Sequence, residues 1–357
     1  MAANFPNSPN INDTYTFNNL TFVYDGSKWK VDGQLSYVQN AIEYIRSGTT
    51  LERPTVNAAA LYYNTDLGGL ELYYPDISTW EVVSTFDKQV DPTSDTGQTA
   101  YTTPGTYSWI CPSNVYRVHV VCVGGGGGAP YTSEGGAGGG GGGLGWQNFI
   151  SVTPGQTYSV VVGAGGTGGT NTSTDGGDSY FISTSTVAGF GGKRGINNQN
   201  PGALGGSYFP FLLGQGGEGG QGGAEIQSGF PFGGGGAGGY SGNGGASGVN
   251  GSAGSGGGGG GGGRGDFSYA AGAGGGVGIL GEGTSGSGGA GSGSTNGEPG
   301  TGGSGGSSGT LNNGGSYGGG AGASDSGTYP NPVGGGGAVR IIWGPNRSFP
   351  STNTGDL

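Results

Sequence analysis

The side chains here that could carry acid–base, nucleophilic or metal chemistry are few and scattered. His119 is the single histidine, set in Val118-His119-Val120-Val121-Cys122-Val123. A Ser-His-Asp relay needs a nucleophile and an orienting acid around one imidazole. On a strand of alternating valines this histidine reads as a sheet-face residue instead. Cys111 and Cys122 lie on either side of a tight turn; they would pair only if the fold set them face to face, and they read as free, buried thiols. Asp175 and Asp178 offer two carboxylates, fewer oxygens than a hard cation takes, so a solvated turn is the simpler reading. Gly189-Phe190-Gly191-Gly192-Lys193-Arg194 lacks the spacing of a phosphate loop and has no Ser or Thr after the lysine. Many windows satisfy G-x-G-x-x-G, but none joins a strand to a helix with an acidic residue beyond. Arg264-Gly265-Asp266 spells an integrin-type tripeptide, which glycine-rich text produces by chance. The expectation is a non-enzyme with no catalytic constellation, no cofactor and no metal.

What remains for recognition is aromatic. Tyr208-Phe209-Pro210-Phe211, Phe230-Pro231-Phe232, Phe267-Ser268-Tyr269 and Tyr329-Pro330 interrupt a block running from Gly124 to Gly337 that holds most of the 97 glycines. Aromatics on loops over a rigid scaffold give large contact area at low entropy cost. The competing reading is that they plug gaps at the ends of the scaffold. Both stay open at this point.

The scaffold itself is legible as a period. Glycines fall at Gly297, Gly300, Gly303, Gly306 and Gly309, and a repeat of three fits neither helix nor strand. It fits the polyproline-II rod, which makes no hydrogen bonds within itself. Without side chains, such rods can approach and exchange N–H···O=C bonds laterally, satisfying the backbone between rods. Glycine loses much entropy on ordering, so many rods must lock together. The alternative for this composition is a flexible linker. The strands that run straight into and out of the block argue against it, because the sheet they form closes only if the block returns on itself.

Charge and hydropathy narrow the partners. The net charge of −11, with only Lys193, Arg194 and Arg264 basic in the glycine block, argues against nucleic acid. No run reaches membrane-spanning length, so no membrane insertion is expected, and residues 1–10 lack signal-peptide character.

Taken in order, residues 1–34 read as a small β-module: Thr14–Phe17, Thr21–Tyr24, then Asp25-Gly26 turning into Lys28–Val31. Residues 51–84 repeat its plan with Leu61–Asn64, Leu70–Tyr74 and Thr79–Val82. Each unit is a three-stranded meander, too small to stand alone. Between them, apolar residues in Leu35–Arg46 recur at helical spacing and predict a short helix within 35–50. Residues 85–98 read as a linker, 99–345 as the glycine-rich domain and 346–357 as a tail. The fold class is mainly β: a β-sandwich framework with a polyglycine-II lattice, the two meander modules and one short helix.

The stretch from Thr103-Pro104-Gly105-Thr106-Tyr107-Ser108-Trp109-Ile110-Cys111-Pro112 through Val118–Gly128, with Val152–Gly163 and Gly334–Gly344, resembles the glycine-rich domain of phage structural proteins. The likeness covers residues 99–353 and is nearest to tail-fibre-like virion proteins of marine cyanophages. Phe5–Pro9 to Tyr24–Trp29 also resembles short modules of such proteins. More distantly, the block is similar to the polyglycine-II sandwich of T-even-like tip adhesins and to the glycine-rich domain of anaplastic-lymphoma-type receptor kinases.

The resemblance implies a virion-surface protein mounted on other virion proteins through residues 1–84. It would contact a host receptor, glycan or outer-membrane protein, through Tyr208, Phe209, Phe211, Phe230, Phe232, Phe267, Tyr269 and Tyr329. It implies a homotrimer, as fibres commonly are, although a closed glycine sandwich also suits a monomer. Two alternatives stand beside it: a capsid or neck decoration making no receptor contact, and a secreted cell-surface adhesive protein.

Overall fold

The computed structural model describes residues 8–17, 20–24, 26–31, 46–48, 51, 53, 60–64, 69–74, 78–85, 96–131, 135–197, 201–209, 215–224, 230–263, 270–291, 296–324, 331–345 and 347–350. The chain divides into two compact units, residues 1–90 and 91–357.

In the first unit β1 (Thr14–Phe17), β2 (Leu20–Tyr24) and β3 (Trp29–Val31) form one antiparallel meander. A second sheet has the order β4 (Arg46–Gly48), β5 (Ala60–Asn64), β6 (Gly69–Tyr74), β7 (Thr79–Thr85). The repeat read from sequence extends to side chains. Trp29 sits 5.5 Å from Tyr24 and 6.2 Å from Tyr15; Trp80 sits 5.3 Å from Tyr73 and 5.7 Å from Tyr62. Each tryptophan thus packs its cross-strand tyrosine and a second one two strands away, the usual way a half-buried sheet face is stabilised.

Most of the expected helix, residues 35–45 and 49–50, lies outside the described residues. Its described part is a correction: Arg46–Gly48 is strand β4, paired in parallel with Tyr62–Asn64. Ser47 and Gly48 are poor helix formers, and the edge of β5 offers their backbone groups partners. Among the described residues no α-helix occurs.

The second unit begins with a two-sheet framework. One sheet has the order β19 (Gly216–Gly217), β12 (Leu144–Ser151), β10 (Arg117–Val123), β21 (Ala338–Trp343), β8 (Gly97–Tyr101). The other has β18 (Tyr208–Phe209), β17 (Val187–Gly189), β16 (Ser179–Phe181), β13 (Thr157–Val162), β9 (Gly105–Ile110). Val118, Val120 and Cys122 of β10 meet Val160, Phe181 and Trp109 from the facing sheet. Val121 and Val123, on the other face of β10, pack with Leu144, Tyr240 and Val277 against the glycine block. β10 and β21 are therefore buried on both faces, which is why they read as nearly continuous apolar runs. Burying each such valine stabilises the fold by about 1.5–3 kcal/mol.

Small two-residue ladders, β11 (Gly135–Gly136) with β20 (Phe230–Pro231) and β14 (Gly168–Gly169) with β15 (Thr172–Ser173), lie elsewhere in the unit. Residues expected in a tail also join this domain: Phe349 is buried and stacks on Tyr240 at 5.9 Å.

Candidate functional site

Between β10 and β12 the chain runs out and back as two glycine rods, and their bonding defines the lattice. Gly124 N–H donates to Gly143 O and Gly127 N–H to Gly140 O, an antiparallel pairing with a step of three. The rod Gly138–Gly143 shows the full environment. Its N–H groups go in turn to Gly223, Ala321, Lys193, Gly220, Gly318 and Phe190, so three neighbouring rods are each met twice, three residues apart. A Cβ on the same six glycines would fall 1.9–2.2 Å from carbonyl oxygens of Gly233, Gly127, Leu204, Gly236, Gly124 and Ser207. Those belong to three further rods. One rod is thus enclosed by six, and glycine is required because every Cα faces a neighbour's carbonyl. This is the polyglycine-II lattice, with the backbone satisfied between rods.

At the edge of the lattice, where no further rod supplies carbonyls, polar side chains take their place. Asp178 Oδ1 accepts from Gly191 N–H at 2.9 Å, and Asp175 Oδ1 from Arg194 N–H at 3.0 Å. Thr174 Oγ1 accepts from Thr167 N–H, Ser252 Oγ from Ala246 N–H and Ser255 Oγ from Asn243 N–H. The two aspartates read as a solvated turn are edge caps three residues apart. Burial by itself would raise the Asp175 carboxyl, but the Arg194 N–H and the Lys193 ammonium at 3.0 Å outweigh it and hold its pKa below the ordinary value.

The rods alternate in direction, which gives the unit two unlike poles. Rods leave the framework strands at Val123, Val162 and Gly189 and return at Leu144, Ser179 and Tyr208. Their opposite ends meet at the other pole, where Tyr131 bridges Thr170 and Ser324, Ala270 bridges Ser324, and Ala323 N–H donates to Phe232 O at 3.0 Å. The chain enters the framework at Gly97, which pairs with Trp343 at the end of β21 away from the rods.

Against this polarity the aromatic candidates separate. Tyr208 and Phe209 are half-buried on edge strand β18 at the framework pole; Phe211, in the connection that follows, lies outside the described residues. Phe230 and Phe232 are at the loop pole. Phe267, Tyr269 and Tyr329 lie outside the described residues, but the connections that hold them start or end at Gly263, Ala270 and Ser324, and the last two are bridged to one another. Phe232 corrects the display reading for its own position: it is 2% exposed, with Gly223 packed against it, and fills the end of the lattice. Beside it a cavity of about 240 Å³ opens among Pro201, Gln221, Ala224, Ser247 and Val249. Tyr131, half-exposed at the hub of three rod ends, was not singled out by sequence; its place in Ala129-Pro130-Tyr131, directly after the first rod, is the signal for it.

The residues considered for chemistry are held in structural contacts. His119 Nδ1 lies 2.9 Å from Asn148 Oδ1, with the Phe149 ring edge-on at 4.9 Å. Asn148 in turn donates to Phe349 O and accepts its N–H. Cys111 and Cys122 are free and buried, and burial pushes both thiols up. Arg264–Asp266 lie outside the described residues. Among the described residues no group of three or more His, Cys, Asp or Glu is placed to hold a metal ion.

A β-sandwich anchors a lattice of glycine rods that run between two unlike poles and bond laterally through their backbones. The family model described as a glycine-rich domain matches residues 102–344, and the chain belongs to that family. No curated protein matches the chain.

Proposed function

We propose that this chain is a structural protein of a phage particle, a tail-fibre or tip component that contacts the host surface through loops on its glycine scaffold. The observation that carries this reading is polarity. The glycine-rich unit is entered at one pole, near Gly97 and Trp343, while Tyr131, Phe232, Ala270 and Ser324 gather rod ends at the other. A lattice whose backbone bonds run between rods resists bending, so loops rooted in it are presented without the ordering cost a flexible linker would add. Residues 1–84 serve in this reading as the mount on other virion proteins, and the receptor is a glycan or an outer-membrane protein. Buried Phe232 favours, for its own position, the second reading: a capsid or neck decoration whose aromatics only close the lattice.

The test uses the purified full chain and cells susceptible to the particle that carries it. The attachment reading expects saturable binding to those cells and competition with particle adsorption. Replacing 264–269 and 325–330 by Gly-Ser loops should abolish both while leaving the melting temperature unchanged. If the intact chain neither binds nor competes, and a map of the particle shows this pole buried against other virion proteins, the decoration reading replaces it.

A further inference from the structure

Four Asn-Gly pairs occur in the chain, Asn243-Gly244, Asn250-Gly251, Asn296-Gly297 and Asn313-Gly314, and all four make the same kind of clip to a neighbouring rod. Asn313 Oδ1 accepts from Val333 N–H at 3.0 Å while Gly314 N–H donates to Val333 O at 2.8 Å. Asn296 and Gly297 hold Ala270 in the same way, at 2.9 and 3.1 Å, and Asn243 and Gly244 hold Glu218 at 3.0 and 2.8 Å. In the fourth, Asn250 Oδ1 accepts from Gly291 N–H at 2.9 Å and Gly251 N–H donates to Gly289 O at 2.7 Å.

An Asn-Gly pair is also where a chain most readily deamidates. The glycine nitrogen loses its proton and attacks the asparagine Cγ; ammonia leaves, giving a succinimide. Water then opens that ring to aspartate or to isoaspartate, whose backbone is one carbon longer. In each clip the attacking nitrogen is the atom already donating to a carbonyl of the next rod, so reaction requires that bond to open first.

We infer that Asn243, Asn250, Asn296 and Asn313 are latent deamidation sites which the lattice holds silent. The two products differ in consequence. Asp175-Gly176 already occupies a clip, accepting from Arg194 N–H at 3.0 Å while Gly176 N–H donates to Gly192 O at 2.9 Å, so aspartate fits where asparagine stood. Isoaspartate adds a carbon to the rod and breaks its step of three. A chain that carries it after unfolding does not regain the lattice. The inference is independent of the attachment reading.

The test incubates the full chain in mildly alkaline buffer, folded and in denaturant, and follows each site by peptide mapping. Folded rates should be at least about tenfold below denatured rates at all four sites, as local opening equilibria dictate. Equal rates overturn the proposal. After denaturant is removed, isoaspartyl chains should be absent from the refolded fraction and aspartyl chains present in it. Recovery of both in equal measure overturns the second part. Val333→Pro removes the bond to Asn313 Oδ1 but leaves the carbonyl that holds Gly314. Deamidation at Asn313 should then track exchange of the Gly314 amide proton. Fast deamidation with that proton still protected would overturn the mechanism.

Discussion

The backbone N–H of Gly191 donates to the carboxylate of Asp178, and three residues further along each rod Arg194 donates to Asp175. A side chain here stands in for the carbonyl of an absent rod, so the outermost glycine rod keeps its N–H groups satisfied. Asp175 has its pKa lowered in the fold by the Arg194 N–H and Lys193 against an opposing effect of burial. A depressed carboxyl contributes stability that is present above its unfolded value and lost as pH falls through the folded one. The expected outcome is a melting temperature that drops as pH is lowered below about 3.8, the ordinary value, and a shallower drop in Asp175→Asn. Scanning calorimetry across that range checks it; parallel profiles would show the cap does not titrate with folding.

Glycine at the lattice interior should be irreplaceable in a way that glycine at its margin is not. A Cβ at Gly141 would lie 1.9 Å from Gly236 O, whereas at Gly305, φ +76°, nothing lies within 4 Å. Gly141→Ala must push apart two rods bonded on all sides, and overpacking of this kind costs about 1–3 kcal/mol or more. Gly305→Ala meets only the left-handed backbone penalty of about 1–2 kcal/mol. Denaturant unfolding of the two variants should rank Gly141→Ala clearly below Gly305→Ala.

Much of this was legible in the chain because side chains announce it. Alternation placed strands near Arg117–Val123, Thr157–Val162 and Ala338–Trp343, and the period of three announced rods, although the run from Gly297 to Gly309 is two of them: Ser304 and Gly305 turn the chain, and Gly309 N–H donates back to Gly300 O. The register of those rods was not legible, since a residue without a side chain carries no mark of which neighbour it meets. The caps were written at Asp175 and Asp178, at the same spacing of three, but their meaning depends on rod 190–195 arriving opposite them, a long-range event. Arg46–Gly48 became strand through pairing with β5, where local periodicity suggested helix. Phe232 shows the limit for the candidate site: next to Pro231 in a loop-like string it reads as a display residue, and it is buried by chain distant in sequence, including Gly223.

The two thiols should be silent in the folded protein. Cys111 and Cys122 are free and buried, and burial raises both pKa values, leaving little thiolate for attack. The native chain should take up no thiol-reactive probe in mildly alkaline buffer, and both cysteines should label once denaturant is added. Rapid labelling of either in the native state would contradict its burial between the sheets.

Tyr240 ties the lattice to the framework through its backbone carbonyl and ties two stretches of the glycine block together through its hydroxyl, and removing the hydroxyl should measure the second link. The hydroxyl donates to Gly278 O and accepts from Gly281 N–H, both at 3.1 Å. Its backbone carbonyl accepts from Trp146 Nε1 at 2.8 Å, and its ring stacks on Phe349 at 5.9 Å. Tyr240→Phe keeps the stack and the Trp146 bond but leaves a buried carbonyl and a buried N–H without their partner, a loss of about 1–3 kcal/mol. Phe349→Ala instead keeps the hydroxyl bonds and opens a void, at about 3–5 kcal/mol. Because both act on one ring, their combination should cost less than the sum: once the stacking partner is gone, Tyr240 can shift and its hydroxyl bonds loosen. Unfolding free energies of the two single variants and the double variant test this. Strict additivity would mean that the stack and the hydroxyl bonds hold the lattice independently.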